Sequence, residues 1–266
     1  MDLRGSTVLL TGATGGLGAA IARGLHAEGA KLVLSGRKVE LLEPLAEELG
    51  AVAAPCDLTD RAALEALLTE HAGIDILIAN AAVPATGELD SYSGEEIDRI
   101  IEANLTAPIQ MCRALAPQMR GRGRGHIVLV SSLSGKVASP GGSMYSATKF
   151  GLRGFGFGLR QDLHGTGVGV SIISPGFIRD AGMFAKSGAE DSLPAGVGTC
   201  TPEQVAAATV TAITKNRAEM TVAPLPMKVG AVFGSALPRV AAFTQAKSGG
   251  KAIAQRMAEG QAGFRS

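Results

Sequence analysis

The sequence has few cysteines and no long apolar run. Its three cysteines, Cys56, Cys112 and Cys200, lie far apart in the chain. An odd number of scattered cysteines is typical of buried, reduced thiols, so we expect neither a disulfide framework nor a metal site. No stretch reaches the roughly 18 uninterrupted apolar residues that cross a bilayer as a helix, so we expect no transmembrane segment.

An excess of charge of one sign is also lacking. Lys and Arg total 25 and Asp and Glu total 24, which gives a formal net charge of +1. This balance argues against a nucleic-acid partner and favours a small molecule. The N-terminal apolar stretch in residues 1–12 is too short for a signal peptide and ends in glycine, so we expect a cytoplasmic protein.

Short apolar runs alternate with stretches of helical periodicity. The sequence predicts strands over Thr7–Leu10, Lys31–Leu34, Asp75–Ala79, His126–Ser131 and Val168–Ile173, and helices over Leu17–Glu28, Val39–Leu49, Arg61–His71, Glu95–Met119 and Tyr145–His164. Apolar strands that alternate with helices indicate a parallel sheet covered on both faces. We therefore expect an α/β fold, in which residues 1–266 form a single-domain, Rossmann-type, doubly wound parallel sheet.

The pattern loosens after residue 176. Residues 177–200 are rich in Gly, Ala and Ser, which is typical of a substrate lid. A helix should start at Thr201–Gln204, and Glu219–Ala223 is a weak candidate strand. In the tail, residues 222–266, the apolar stretch Met227–Phe243 leaves three alternatives: it packs over the core, binds another subunit or rests on a membrane surface.

A glycine cluster follows directly after the first predicted strand. Thr11–Gly18 reads TGATGGLG and leads straight into a predicted helix. Glycines permit a tight turn and let backbone N–H groups approach a pyrophosphate, which the helix N-terminus stabilises. The spacing is Gly-x-x-x-Gly-x-Gly rather than Gly-x-Gly-x-x-Gly. The cluster predicts a dinucleotide site at Gly12, Thr14, Gly15, Gly16, Leu17 and Gly18.

Tyr145 and Lys149 are the candidate proton-transfer pair. They lie four residues apart in a predicted helix, so their side chains share one face. A phenol with a pKa of about 10 exchanges protons at neutral pH only if a cation is close, and Lys149 supplies one. Ser132 ends a predicted strand, where its hydroxyl would donate to a substrate oxygen, and Ser134 is the alternative for this role.

Together these motifs resemble the short-chain dehydrogenase/reductase family over about residues 5–215. The resemblance rests on the glycine spacing, Cys56–Leu58, Asn80–Ala81, Asn104, Ser132, Tyr145–Lys149 and Pro175–Gly176. It implies hydride transfer between a nicotinamide cofactor and a ketone or secondary alcohol, catalysed by Asn104, Ser132, Tyr145 and Lys149. It also implies cofactor contacts from Asp57, Leu58, Asn80, Ala81, Pro175, Gly176 and Ile178, in addition to the glycine cluster, Tyr145 and Lys149.

The resemblance further implies two structural features. Asn104 should kink its helix and hold a water that connects Lys149 to solvent. The glycine-rich helix that carries Gly151, Gly154, Gly156 and Gly158 should take part in a homodimer or homotetramer interface. The four histidines stand near element ends, and we interpret all of them as structural.

The end of the second strand indicates which nicotinamide cofactor is used. An acidic residue there would bind a ribose 2′-hydroxyl, whereas this chain has Arg37, which accommodates a 2′-phosphate. We therefore expect NADP(H) to be preferred over NAD(H). Several positions depart from the family pattern. Gly15 stands where NADP-preferring members often have a basic residue, and Ala79 and Ala82 stand where asparagine and glycine are usual. Asp180 stands where threonine is usual and could accept from the nicotinamide carboxamide.

The lid composition suggests the substrate. Met183, Phe184, Leu193 and Val197 are apolar, which favours a mainly apolar ketone or alcohol. A catalytically silent NADP-binding sensor on the same fold is the alternative from another functional class. The related epimerase and dehydratase branch is a second alternative, although this chain leaves little room for a sugar-nucleotide domain.

Overall fold

A single seven-stranded parallel sheet organises the computed structural model, which describes residues 1–185, 198–237, 239 and 250–261. The strands are β1 Thr7–Thr11, β2 Lys31–Gly36, β3 Val52–Pro55, β4 Ile76–Ala79, β5 Gly125–Val130, β6 Val168–Pro175 and β7 Glu219–Val222. They lie in the order β3-β2-β1-β4-β5-β6-β7, and every neighbouring pair is parallel. The predicted Rossmann-type, doubly wound sheet is confirmed.

Helices connect these strands. They are α1 Gly16–Ala27, α2 Val39–Glu48, α3 Arg61–Glu70, α4 Gly94–Ile101, α5 Ala107–Gly121, α6 Ser143–Asp162, α7 Gly182–Ala185, α8 Pro202–Thr214, α9 Leu225–Ala236 and α10 Gly250–Gln261. The predicted start of α8 is confirmed, because Thr201 and Gln204 form a reciprocal capping box. Within the described ranges, no helix is both long and apolar enough to span a bilayer.

The structure corrects the sequence prediction in several elements. β3 was not predicted, because its sequence VAAP is only four residues long and contains one β-branched residue. The single helix predicted over Glu95–Met119 is two helices, α4 and α5, joined by a π-helical turn over Glu102–Thr106. Two further helices, α9 and α10, lie in the tail, where the sequence predicts only an apolar stretch.

The core lies on both faces of the sheet. Successive β1 residues alternate between two apolar clusters: Val8 and Leu10 pack with α1, α2 and α8, whereas Leu9 packs with α3, α5 and α6. Cys56, Cys112 and Cys200 are all buried, as their interpretation as buried thiols predicts. Because the strand order reverses between β1 and β4, a crevice opens where their carboxyl ends diverge.

Candidate active site

The turn between β1 and α1 is a cradle that only glycine backbones can form. Gly12 has φ of +68°, and a Cβ there would lie 2.8 Å from the Cα of Ala81. A Cβ on Gly18 would lie 2.9 Å from the Cα of Ala13 and closer still to the carbonyl oxygen of Gly12. Real Cβ atoms essentially never come that close to another backbone atom. Any residue larger than glycine at either position would therefore force the backbone to shift.

Asn80 and Thr11 hold this cradle in place. The Asn80 Nδ2 donates to the carbonyls of Thr11 at 3.0 Å and Gly12 at 3.2 Å. The backbone N–H groups of Asn80 and Ala81 both donate to the Thr11 Oγ1 at 3.2 Å. Sequence reasoning missed Thr11, although a hydroxyl ending an apolar strand was a visible signal. Ala82 has no positive φ, which agrees with the expectation that an alanine fits there.

A cavity of about 970 Å³ runs from this cradle along the carboxyl edge of the sheet. Every residue predicted to bind the cofactor lines it, namely Gly12, Thr14, Gly15, Gly16, Leu17, Gly18, Arg37, Asp57, Leu58, Asn80, Ala81, Tyr145, Lys149, Pro175, Gly176 and Ile178. Ser132 lines the same cavity, as does its alternative, Ser134. Asn104 lies behind the wall and is fully buried.

Charged side chains cluster where β2 and β3 end. Arg37, Asp57 and Arg99 all line the cavity there. Burial would raise the pKa of the Asp57 carboxyl, but hydrogen bonds from Thr59 and the charges of Arg37 and Arg99 hold it below its usual value. Sequence reasoning did not single out Arg99, because α4 brings it to this end of the cavity from a distant part of the chain.

Tyr145 and Lys149 extend from the same face of α6, as predicted. The Lys149 Nζ lies 5.6 Å from the centroid of the Tyr145 ring and donates to the carbonyl of Val130 at 2.9 Å. Ser132 follows β5 and hydrogen-bonds to the phenol. Its Oγ accepts the backbone N–H of Ser134 at 3.1 Å, so its own proton remains available to donate. This contact to the phenol favours Ser132 over Ser134.

Burial sets the protonation states of this pair. It raises the pKa of Tyr145 to about 12, although the hydrogen bond from Ser132 acts in the opposite direction. Burial also lowers the pKa of Lys149 to about 8. The sequence predicts that Lys149 makes the phenol more acidic, whereas in the protein alone burial makes it less acidic. At neutral pH the phenol therefore holds its proton and the ammonium is largely charged.

Asn104 lies in the π-helical turn between α4 and α5. Its Oδ1 accepts the backbone N–H of Val83 at 2.7 Å, and its Nδ2 donates to the Val83 carbonyl at 3.0 Å. The interruption of the helix agrees with the predicted kink. Because Val83 lines the cavity, the side chain of Asn104 fixes a segment of the cavity wall.

A protein-family model described as short chain dehydrogenase matches residues 6–192 of this chain. The chain belongs to the short-chain dehydrogenase/reductase family. It is therefore an oxidoreductase that acts on CH–OH groups.

Two relatives illustrate the similarity within the short-chain dehydrogenase/reductase family. A ketoacyl reductase of a Nostoc species is 38% identical over 234 residues, which are 85% of this chain and 81% of that protein. An NADP-dependent 3-hydroxy acid dehydrogenase of Salmonella typhi is 39% identical over 178 residues, which are 64% of this chain and 72% of that protein.

Solved structures of the family are similar in fold. A short-chain dehydrogenase from Sphingobium yanoikuyae in complex with NADPH has a TM-score of 0.76 and 30% identity, covering 88% of this chain and 95% of that chain. The closed form of a serine dehydrogenase complexed with NADP⁺ has a TM-score of 0.73 and 34% identity, covering 81% of this chain and 93% of that chain.

The loop after β6 departs from the short-chain dehydrogenase/reductase pattern at Asp180. This residue has φ of +63°, its side chain is 75% exposed, and it pairs at 3.6 Å with the exposed Arg179. The described lining of the cavity does not include Asp180, so this structure does not bring its carboxylate to the site. Phe184 is buried with its ring centroid 4.6 Å from that of Phe177. Leu193, Val197 and the Met183 side chain lie outside the described residues.

A half-buried ion cluster beneath the site was missing from the sequence prediction. Glu219 accepts two hydrogen bonds from Arg153 at 2.8 and 3.2 Å and lies 3.0 Å from the Lys136 Nζ. It also accepts the Ser174 hydroxyl at 3.0 Å. Glu219 thereby joins β7 to α6, to the turn after Ser132 and to the end of β6. Burial alone would raise its pKa, but Arg153 and Lys136 hold that pKa below its usual value.

Proposed function

We propose that this short-chain dehydrogenase/reductase is NADP(H)-dependent and interconverts a mainly apolar ketone or aldehyde with its alcohol. The observation that carries the proposal is that the glycine cradle, the catalytic group and a set of apolar side chains all line one cavity. The catalytic group is Tyr145, Lys149 and Ser132. The cradle fits a dinucleotide, because Gly12 and Gly18 let the turn close tightly at the N-terminus of α1, where backbone N–H groups can bind a pyrophosphate. The bound cofactor would supply the hydride.

The three polar side chains divide the proton chemistry of ketone reduction. Tyr145 gives its phenolic proton to the substrate oxygen. The phenol is protonated at neutral pH, because its pKa is about 12. Ser132 donates a hydrogen bond to the same oxygen as negative charge develops. Lys149 uses one of its three donors on Val130, so two remain for ribose hydroxyls and for stabilising the phenolate.

Asn104 is proposed as a positioning residue. Both polar atoms of its side chain bond to the backbone of Val83, and this contact would fix the cavity wall beside the catalytic group. A water that relays protons to Lys149 would bind a backbone carbonyl of the π-helical turn. A π-helical turn shifts the usual hydrogen-bond pattern and lets a carbonyl bind elsewhere.

Arg37 is the proposed basis for NADP(H) preference. It lines the cavity at the end of β2 beside Lys38, where the 2′-phosphate would lie, and the two relatives named as NADP-dependent or NADPH-bound agree with this use. Replacing Arg37 with Ala should raise KM for NADPH by about tenfold, the value of one charge-assisted hydrogen bond at an exposed site, and change KM for NADH little. Equal effects on both cofactors would contradict the preference.

The charge distribution supports a neutral substrate. Of the charged residues in the described lining, Arg37, Lys38, Asp57 and Arg99 lie at the adenosine end, and Lys149 belongs to the catalytic group. The far end is lined by Phe177, Phe184, Met227, Ala231 and Phe233, with no cation to bind a carboxylate among the described residues.

A matched substrate pair tests this proposal. NADPH consumption should be faster, measured as kcat/KM, with an apolar methyl ketone than with the keto acid of equal chain length. Turnover of the charged compound alone would contradict the substrate class. NADPH binding without turnover of any ketone, aldehyde or alcohol in a broad panel would instead support the silent-sensor alternative.

The domain organisation and assembly complete the proposal. We assign residues 1–266 to one domain, with a substrate lid over residues 177–200 and a tail over residues 222–266. A homodimer or homotetramer is proposed because Gly154 and Gly158 on α6 are exposed and a Cβ at either would meet no atom within 4 Å, so another chain could approach closely. Light scattering tests the assembly, and a monomer would contradict it.

A further inference from the structure

Helix α9 is apolar on two sides. One side, with Met227, Gly230, Ala231 and Gly234, lines the cavity. The other side carries Leu225, Val229 and Val232 at helical spacing, with exposed fractions of 72%, 45% and 64%. A helix that is apolar all round is normally buried on all sides, so this outward face requires a cover.

The mouth of the cavity opens on this outward face. Phe233 and Leu237 line the cavity and are nevertheless 62% and 52% exposed. A compound that crosses this surface would therefore enter the apolar end of the cavity directly. Met257 of α10 completes the wall on the same side.

The charge of the tail indicates what the cover is. Residues 223–266 contain six basic residues and only one acidic residue, whereas in residues 1–222 acidic residues outnumber basic ones by four. The near-zero net charge of the whole chain hides this asymmetry. Lys228 is exposed on α9, three residues after Leu225 and four before Val232, which places it beside the apolar stripe. Arg239 is also exposed.

We propose that the outward face of α9 docks on the surface of an anionic lipid bilayer. Exposed Leu, Val and Phe side chains enter the headgroup boundary, and the exposed Lys228 and Arg239 face the lipid phosphates. The helix lies in the plane of the surface, and the mouth of the cavity faces the lipid. A consequence that rests on the proposed function is that apolar substrates reach Tyr145 from the bilayer.

Vesicle co-sedimentation of the full chain tests this docking. The protein should bind vesicles of equal parts phosphatidylglycerol and phosphatidylcholine, and bind phosphatidylcholine alone at least about tenfold more weakly. Raising NaCl from about 0.1 M to about 1 M should weaken binding to the anionic vesicles about tenfold. This comparison needs no variant, so it holds even if a substitution in α9 disturbs folding.

A double variant locates the contact. V229D/V232D alters residues outside the described cavity lining and should reduce binding to anionic vesicles about tenfold or more, with turnover of a water-soluble ketone retained. The matched control Val52→Asp, on an equally exposed valine of the distant edge strand β3, should bind as wild type.

Three results would overturn the docking proposal. The first is that the wild-type protein does not bind anionic vesicles, and the second is that V229D/V232D binds them as well as wild type does. The third is that neither protein binds vesicles, while wild type is a dimer and V229D/V232D is a monomer. The last would assign the face to a second copy of the chain. Vesicle binding is measured without cofactor or substrate, so its failure is distinguishable from failure of the oxidoreductase proposal.

Discussion

Two glycines of the cradle, Gly15 and Gly18, should differ in their response to substitution by alanine. A Cβ at Gly18 would clash with the backbone of Gly12 and Ala13, whereas a Cβ at Gly15 would lie 3.5 Å from the Gly12 carbonyl oxygen, an ordinary contact. Gly18 lies inside α1, where alanine is intrinsically favoured over glycine by about 1 kcal/mol. Helix propensity therefore predicts a benefit from Gly18→Ala, and the steric clash predicts a cost.

The clash should decide the outcome. Relieving it requires the Gly12 carbonyl to move, and Asn80 and Ala81 are anchored to that turn. Overpacking of this kind costs about 1–3 kcal/mol, which corresponds to about 5- to 150-fold in Kd when the displaced groups are those that bind the ligand. Titration of NADPH fluorescence should show this loss for Gly18→Ala and less than about twofold for Gly15→Ala.

The melting temperature of each variant without cofactor is the control for folding. If Gly18→Ala bound NADPH as tightly as wild type, or if Gly15→Ala lost as much affinity as Gly18→Ala, the assignment of this turn as the pyrophosphate cradle would be wrong.

Other predictions follow from the buried charges. Burial lowers the pKa of His126 from 6.5 to about 3, so below pH 6.5 the unfolded chain binds a proton that the folded chain does not. The free energy of unfolding should therefore fall by about 2 kcal/mol between pH 7.5 and pH 5, as measured by urea unfolding. The fall should be smaller in His126→Gln. Glu219→Gln should cost about 3 kcal/mol of stability, because Lys136 and Arg153 lose their shared anion, and an unchanged melting temperature would refute this. The kcat/KM for ketone reduction should fall above about pH 8 as Lys149 loses its proton, and a profile flat to pH 10 would refute its charged role.

The sequence was sufficient to predict site residues that follow directly after strands. Gly12, Arg37, Ser132 and Gly176 follow four different strands, and the parallel order brings those ends to one edge. Periodicity and glycine spacing were therefore enough to predict that the glycine cluster, Arg37 and Ser132 line one cavity, whereas Gly176 and the contacts after β3 and β4 were implied only by the family resemblance. The π-helical turn at Asn104 was implied only by resemblance, because helical periodicity continues through it.

Features that depend on long-range contacts could not be predicted. Thr11 acts through Asn80, which lies 69 residues away in sequence, and Glu219 acts through Arg153, which lies 66 residues away. Helix α9 was missed because prolines punctuate its sequence, yet Pro226 lies in the first turn, where the missing N–H costs nothing. The raised pKa of Tyr145 depends on burial, which no local pattern reports.

Tyr145→Phe tests most directly the claim that a phenolic proton completes the reduction. The substitution keeps the ring that packs beside Tyr92 and Ile100, and it removes only the hydroxyl. We predict that kcat for ketone reduction falls by about 10²- to 10⁴-fold, while Kd for NADPH changes less than about twofold. Tyr92→Phe, which alters the other of the two tyrosines, should leave kcat within about twofold. Turnover by Tyr145→Phe at the wild-type rate would contradict the account.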